Sequence, residues 1–119
     1  MAQACFKRHA RLLKGAEFSR VFDKPRRSKD RFFCVLARIN QQNRPRLGLA
    51  ISKKRARRAV ARNRIKRIVR ESFRQNTSDL ISADYVVLAT ALTEKANNRQ
   101  LFDSLQQHWQ HIKQQCAAS

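Results

Sequence analysis

The sequence is short of acidic residues, and this shortage is its most informative property. Its 119 residues include 8 Asp and Glu against 27 Lys and Arg, so the formal net charge is +19. Charges of one sign repel one another and oppose compaction unless a polyanion neutralises them. A polyanionic partner is therefore expected. The few acids are also scattered, without the paired carboxylates with which a protein nuclease holds two metal ions.

Glycine, proline and cysteine are also scarce. Two glycines, two prolines and a hydrophobic fraction of 42% indicate a folded domain and exclude a disordered basic tail. The three cysteines, Cys5, Cys34 and Cys116, are too far apart for a zinc site. Because their number is odd, they cannot form a complete disulfide framework.

No long apolar run, lipidation motif or secretory signal accompanies the positive charge. This absence favours nucleic acid over a membrane surface as the polyanion. We therefore expect a cytoplasmic protein with no membrane partner.

The segment from residue 53 to residue 74 carries eleven Lys and Arg residues and one acid, Glu71. Its apolar and small residues recur at helical spacing and predict one buried face, made of Ala61, Ile65, Ile68, Val69 and Ser72. The cations point in the other directions and have almost no acids to pair with. The pattern predicts a helix that is anchored in the core and contacts RNA.

The remaining periodicity predicts three strands and two more helices. An antiparallel hairpin is the simplest connection between the first two strands. We expect an α/β two-layer sandwich, in the order α-β-β-α-β-α, with helices packed on a small mixed sheet. The predicted elements are a basic arm over 1–14, helices over 16–22 and 97–115, strands over 32–39, 47–51 and 84–90, and a frayed tail over 112–119. The whole chain is expected to form one RNA-binding domain.

The stretch from residue 46 to residue 74 resembles the signature of the bacterial ribonuclease P protein component. Its hallmark is Arg-Asn-Arg followed by a hydrophobic residue, Lys and Arg, which stands here at residues 62–67. A Leu-Gly-Leu strand before Ser-Lys-Lys, the start RLLKGAEFSRVF and a late strand before a Trp-containing helix also agree. The resemblance covers nearly the whole chain.

The resemblance implies an accessory subunit of an endoribonuclease whose RNA subunit carries catalysis and Mg²⁺, and which removes the 5′ leader of precursor tRNA. It implies no catalytic residue, metal or cofactor in the protein and no required protein partner. It also implies an unusual left-handed crossover between the second and third strands. The residues that it assigns to the catalytic RNA are Lys53, Lys54, Arg58, Arg62, Asn63, Arg64, Lys66, Arg67 and Arg70. Those that it assigns to a leader-binding cleft are Phe18, Phe22 and, from the first strand, Phe32 or Phe33.

Other interpretations of these residues stay open. Phe18 and Phe22, one helical turn apart, are as consistent with a core position as with a platform for bases. His108 and His111 could meet on a helix, but two ligands make a poor zinc site. The alternative function is that of a ribosomal or general RNA-chaperone protein. A self-sufficient nuclease is disfavoured by the scattered acids.

Overall fold

The computed structural model describes residues 15–40, 44–51 and 58–117. These ranges contain three helices and four strands, in the order α-β-β-β-α-β-α. They are α1 (Gly15–Phe22), β1 (Arg26–Lys29), β2 (Phe33–Ile39), β3 (Arg46–Ala50), α2 (Ala59–Asn76), β4 (Ala83–Ala89) and α3 (Asn98–Ala117). Single 3₁₀ turns follow α2 (Thr77–Asp79) and β4 (Ala91–Glu94). The predicted α/β architecture with a small mixed sheet is confirmed.

The strands form one sheet in the order β1-β2-β4-β3. β2 is antiparallel to β1 and to β4, whereas β3 is parallel to β4. The predicted hairpin between β2 and β3 is therefore wrong, because β4 lies between them. β4 is buried at nearly every position, and a strand of that kind belongs in the interior of a sheet. The left-handed crossover through α2 stays a prediction.

The edge strand β1 was not expected from the sequence. Its residues, RRSK, have no apolar member. Only Ser28 of this strand is buried, so hydrophobic alternation gives no signal. The strand forms because its backbone pairs with β2 along four residues, from Arg26 opposite Ala37 to Lys29 opposite Cys34.

The two faces of the sheet are covered differently. α2 and α3 pack on one face and enclose the main core, which includes Phe33, Val35, Tyr85 and Val87. On the other face a smaller cluster joins Val21 of α1 to residues of β2 and β4, with Leu36 and Val86 buried. Cys34, Ala50 and Leu88 on this second face are only half-buried, so part of it can be reached from solvent.

Three aromatic rings form the centre of the main core. Phe73, Tyr85 and Trp109 meet edge to face, with ring centroids 5.7 to 5.9 Å apart. Such pairs add about 0.5 to 1.5 kcal/mol each beyond the burial of their area. The indole Nε1–H of Trp109 donates to Ser72 Oγ at 2.9 Å, which satisfies the polar group inside the core. Trp109 is thus a core residue of α3.

The last helix extends further than the sequence suggested. A frayed tail was expected from residue 112, but α3 continues to Ala117. Ile112 is fully buried, and Cys116 packs against the main core one turn later. These two contacts explain why the helix is retained. None of the described helices is both long enough and apolar enough to cross a bilayer.

Candidate nucleic-acid interface

The helix α2 separates its apolar and its basic residues as predicted. Ile65, Ile68, Val69 and Ser72 are buried, and Ala61 packs against the core from the edge. Phe73, which the sequence analysis did not place on this face, is buried with them. The helix is therefore fixed to the sheet along one side, so the residues on its other side keep defined positions.

Four of the basic residues of α2 form one continuous surface together with the polar Asn63. At about 100° per residue, these five residues fall within about 140° of the helix circumference. Asn63 and Arg67 are exposed, and the other three are half-buried along the border with the core. We call this surface the α2 cation stripe: Arg62, Asn63, Lys66, Arg67 and Arg70.

The one acid of α2 does not neutralise the stripe. Glu71 pairs with Arg74 one turn further along and also accepts a hydrogen bond from Gln75. The hydrogen bond from Arg74 is the main cause that holds the pKa of Glu71 below its usual value. Because Glu71 has its own cation, it does not neutralise Arg67, the exposed cation of the stripe.

The start of α2 adds to this positive surface. Arg58 occupies the N-cap position, its side chain makes no capping hydrogen bond, and the first turn contains no acid. The amide groups of a helix N-terminus favour anions, and a cation beside them strengthens that preference. Lys53 and Lys54, which were assigned to the same surface, lie outside the described residues.

Arg64 has a different position from the other cations of α2. Its guanidinium reaches the segment before α3, where Nη2 donates to the carbonyl oxygens of Thr93 at 3.1 Å and Ala96 at 3.0 Å. Nη1 donates to Asn98 Oδ1 at 2.6 Å. Since these contacts use both Nη atoms of its guanidinium, Arg64 supports the fold, and its assignment to the RNA-binding surface is not favoured by this geometry.

The open part of the second sheet face forms a shallow apolar cleft beside α1. Phe22 is 48% exposed and Phe18 is half-buried, so both rings can be reached from solvent. Cys34 and Leu88 are half-buried on the strands opposite, and Leu36 closes the floor. We call this surface the α1 cleft: Phe18, Phe22, Cys34, Leu36 and Leu88.

Phe32 and Phe33 do not belong to this cleft, so their predicted assignment is wrong. Phe33 is fully buried and Phe32 is 8% exposed, and both lie in the main core on the opposite face of the sheet. Successive side chains of a strand alternate between faces, so Phe33 shares its face with Val35 and cannot share one with Leu36. For Phe33 that alternation was readable from the sequence, whereas Phe32 precedes β2 and its burial was not.

Arg38 fixes the end of α1 against the sheet. Its Nη1 donates to the carbonyl oxygens of Arg20 at 3.0 Å and Asp23 at 2.8 Å, at the last turn of the helix. The last carbonyls of a helix have no partner within the helix, and a cation there also suits the helix dipole. Lys24, just beyond, has a φ of 55°, which turns the chain sharply into β1.

A cluster of polar side chains, partly buried, joins β1 and the residue after it to α3. The Ser28 hydroxyl lies 2.6 Å from Nδ1 of His108 and 2.9 Å from Nδ1 of His111, so it can donate to one ring and accept from the other. Nε2 of His108 lies 3.2 Å from Oδ1 of Asp30 without the alignment of a hydrogen bond. Ser104 donates to the other oxygen of Asp30 at 2.5 Å.

The protonation of this group follows from its surroundings. Burial lowers the pKa of His108 below its usual value, an effect that Asp30 opposes and His111 reinforces. Burial also disfavours ionisation of Asp30, but hydrogen bonds from Ser104 and two backbone amides outweigh it and lower the pKa of that carboxyl. Within the described ranges, no three His, Cys, Asp or Glu residues are grouped closely enough to hold a metal ion.

Fold and surface together define an α/β domain with a basic helix on one face of its sheet and a partly open aromatic cleft on the other face. A family model described as Ribonuclease P matches residues 6–113. The chain belongs to the ribonuclease P protein family. It is an accessory subunit of the ribonuclease P ribonucleoprotein, the endoribonuclease that processes tRNA 5′ ends.

Individual proteins agree with the family assignment. The ribonuclease P protein component of Methylococcus capsulatus is 46% identical over 96% of this chain and 89% of its own. The structure of a Staphylococcus aureus RNase P protein mutant with defective mRNA degradation activity has a TM-score of 0.83 and 32% identity, covering 88% of this chain and 89% of that one. The RNase P protein from Thermotoga maritima has a TM-score of 0.76 and 26% identity, over 85% and 96% of the two chains.

Proposed function

We propose that the chain uses two separate surfaces for two RNA molecules in the cytoplasm. The α2 cation stripe binds the catalytic ribonuclease P RNA, and the α1 cleft holds the 5′ leader of precursor tRNA. Mg²⁺ and the reacting groups belong to the RNA subunit. The protein screens the repulsion between the two phosphate backbones, so that a lower Mg²⁺ concentration suffices for cleavage.

The observation that carries this proposal is the arrangement of α2. Its buried face is fixed in the core, while the stripe presents cations that the only acid of the helix does not neutralise. Arg donors suit phosphate oxygens, and a helix that is fixed in the core holds the backbone of these residues in place before RNA binds. Such contacts recognise the shape and backbone of RNA more than its sequence.

The α1 cleft suits a single strand for a different reason. Unpaired bases stack on aromatic rings with about 1 to 3 kcal/mol each, and every base offers a face for stacking. Phe22 is exposed enough to receive a base, and Val21 fixes the helix from below. A cleft of this kind accepts leaders of many sequences.

Reconstitution tests the function as a whole. The protein, a bacterial ribonuclease P RNA and a precursor tRNA are combined at low Mg²⁺, and each component is omitted in turn. We expect cleavage at the mature 5′ end only when protein and catalytic RNA are both present. Tight RNA binding without stimulation of cleavage would contradict the proposal and favour a ribosomal or chaperone protein.

The reaction that contains protein without catalytic RNA tests whether the protein cleaves RNA by itself. The Staphylococcus aureus RNase P protein has an mRNA degradation activity, which is defective in the mutant whose structure is similar to this one. We expect no cleavage by this chain without the RNA subunit. Cleavage of precursor tRNA or mRNA by the purified protein, abolished by EDTA, would contradict this expectation.

The assignment of the stripe is tested with one exposed residue and a matched control. Arg67→Gln removes one exposed cation of the stripe, and Arg99→Gln removes one from α3, where the side chain is 92% exposed. We expect Arg67→Gln to weaken binding to the catalytic RNA and to reduce the slope of log K against log salt by about 0.7 to 0.9. Equal effects of the two substitutions would contradict the assignment.

A further inference from the structure

The edge strand β1 presents two cations on the same face of the sheet as the α1 cleft. Its register places Arg27 opposite Leu36 and Lys29 opposite Cys34. Residues directly opposite each other in an antiparallel pair share a face, so both cations extend beside the cleft. Ser28, between them, points to the other face and is buried against α3.

Both cations are exposed, and the nearby acids are engaged elsewhere. Among the residues that the structure describes, neither Arg27 nor Lys29 forms an ion pair. Asp23 pairs with Arg38, and Asp30 accepts hydrogen bonds from Ser104 and from backbone amides. The edge beside the cleft therefore keeps its positive charge.

The spacing of the two cations suits an extended polyanion. Alternate residues of a strand lie about 6.6 Å apart, which is of the order of the distance between successive phosphates in an extended single strand. A strand fixed by pairing with β2 holds these two charges in line. The arrangement thus offers two neighbouring phosphate contacts.

The strand order indicates which part of an RNA would reach these cations. β1 and β3 are the two edges of the sheet, about 14 Å apart across three strand spacings. α2 follows β3 along the chain, so its N-terminus lies on the β3 side of the sheet, and so does the proposed contact with the catalytic RNA. A leader that crosses the sheet from that side meets Phe18 and Phe22 first and β1 last.

We propose that Arg27 and Lys29 bind the phosphates of the 5′-distal part of the leader, beyond the nucleotides that stack in the α1 cleft. The inference rests on the proposed function of that cleft. It makes β1 the outer end of the leader site. It predicts that the affinity of the holoenzyme for precursor tRNA continues to rise when the leader is extended past the nucleotides that stack on Phe18 and Phe22. Charged side chains on an edge strand also discourage pairing with other chains, but that role does not depend on leader length.

The test uses the reconstituted holoenzyme and precursor tRNAs whose leaders are lengthened one nucleotide at a time. Arg27→Gln/Lys29→Gln is compared with Arg99→Gln/Lys113→Gln, which removes the same charge from α3 on the opposite face of the sheet. We expect the first variant to bind long leaders about three- to tenfold more weakly, as two exposed ion pairs would give. It should bind short leaders and leaderless tRNA like the wild type.

Salt dependence provides the second readout. For long leaders, loss of two phosphate contacts should reduce the slope of log K against log salt by about 1.4. The exchange Arg27→Lys/Lys29→Arg keeps both charges and should restore affinity and slope, which separates charge from a disturbance of the strand. An equal loss at every leader length, or an equal loss in the α3 control, would overturn the inference.

A third variant separates this inference from the function on which it rests. Phe18→Ala/Phe22→Ala should weaken binding of short and long leaders alike, because it removes the stacking surface. If that variant binds leaders normally, the proposed function of the cleft fails. If it loses leader affinity while Arg27→Gln/Lys29→Gln does not, only the role of β1 fails.

Discussion

Replacing Arg64 by alanine should destabilise the fold, although the residue lies within the most basic segment of the chain. Its guanidinium donates to the carbonyl oxygens of Thr93 and Ala96 and to Asn98 Oδ1, at 3.1, 3.0 and 2.6 Å. Glu94 O lies further away, at 3.4 Å. Arg64 therefore holds the turn after β4 and the first turn of α3 against α2.

The magnitude follows from these contacts. Hydrogen bonds to charged groups contribute about 1.5 to 3 kcal/mol each, but they are not additive, and water replaces part of them where the carbonyls are half-exposed. We expect the free energy of unfolding to fall by about 2 to 3 kcal/mol in total. For a chain of this size, the melting temperature should fall by roughly 10 °C.

The measurement is urea unfolding at neutral pH, with Arg67→Ala as the matched control. Arg67 lies three residues away and is exposed, so its replacement should change stability by less than about 0.5 kcal/mol. Arg67→Ala should instead weaken binding to the catalytic RNA. If Arg64→Ala is as stable as the wild type, or if both variants lose only RNA affinity, the structural role of Arg64 is refuted.

Three further substitutions test other parts of the structure. Asp84→Asn should cost about 3 to 5 kcal/mol of stability in urea unfolding, because it leaves Arg46, whose Nε lies 2.8 Å from Asp84 Oδ1, without its buried counter-charge; a loss under about 1 kcal/mol would contradict this. Burial lowers the pKa of His108, so this residue stabilises the folded state at pH values above its usual pKa of 6.5, and the stability falls as the pH drops below 6.5. His108→Asn should therefore make stability depend less on pH between about 7.5 and 5.5, and an unchanged pH profile would count against the buried site. Arg38→Gln should free the end of α1 and reduce the preference of the holoenzyme for leader-bearing over leaderless tRNA, whereas an unchanged preference would show that α1 needs no such contact.

The sequence predicts α2 well because its stripe of apolar residues is long and regular. Ile65, Ile68 and Val69 recur at helical spacing, and they are buried as expected. The identity of the flanking cations was equally visible. What the pattern could not show is which flank faces another element, and the family resemblance assigned Arg64 to the RNA with the other cations.

The sheet was harder to predict because its strand pairs are distant in sequence. β3 pairs with β4 across α2, and β1 contains no apolar residue to mark it as a strand. Local proximity favoured a hairpin between β2 and β3 that does not form. Register, which places Arg27 and Lys29 beside the cleft, becomes known only when the pairing of β1 with β2 is seen.

The error at Phe32 and Phe33 has a different origin. The family resemblance assigned them to the leader-binding cleft, but strand alternation puts Phe33 on the core face, and Phe32 is buried in the same core, with the Arg31 guanidinium 4.8 Å from its ring centroid. The cleft is lined by smaller residues of β2, Cys34 and Leu36, together with the rings of α1. Position relative to the pleat, more than residue type, decides which side chains reach solvent.

Two surfaces of this small domain are proposed to bind two different RNA molecules, and one titration of affinity separates their roles. Holoenzymes carrying Phe22→Ala or Arg67→Gln are assembled with saturating catalytic RNA and titrated with precursor tRNA that has or lacks its leader. Phe22→Ala should weaken binding of leader-bearing tRNA alone, by the roughly 1 to 3 kcal/mol of one stacked base. Arg67→Gln should leave the ratio of the two affinities unchanged while it raises the RNA concentration needed for assembly. If both substitutions change both quantities to the same extent, the two surfaces do not have separate roles.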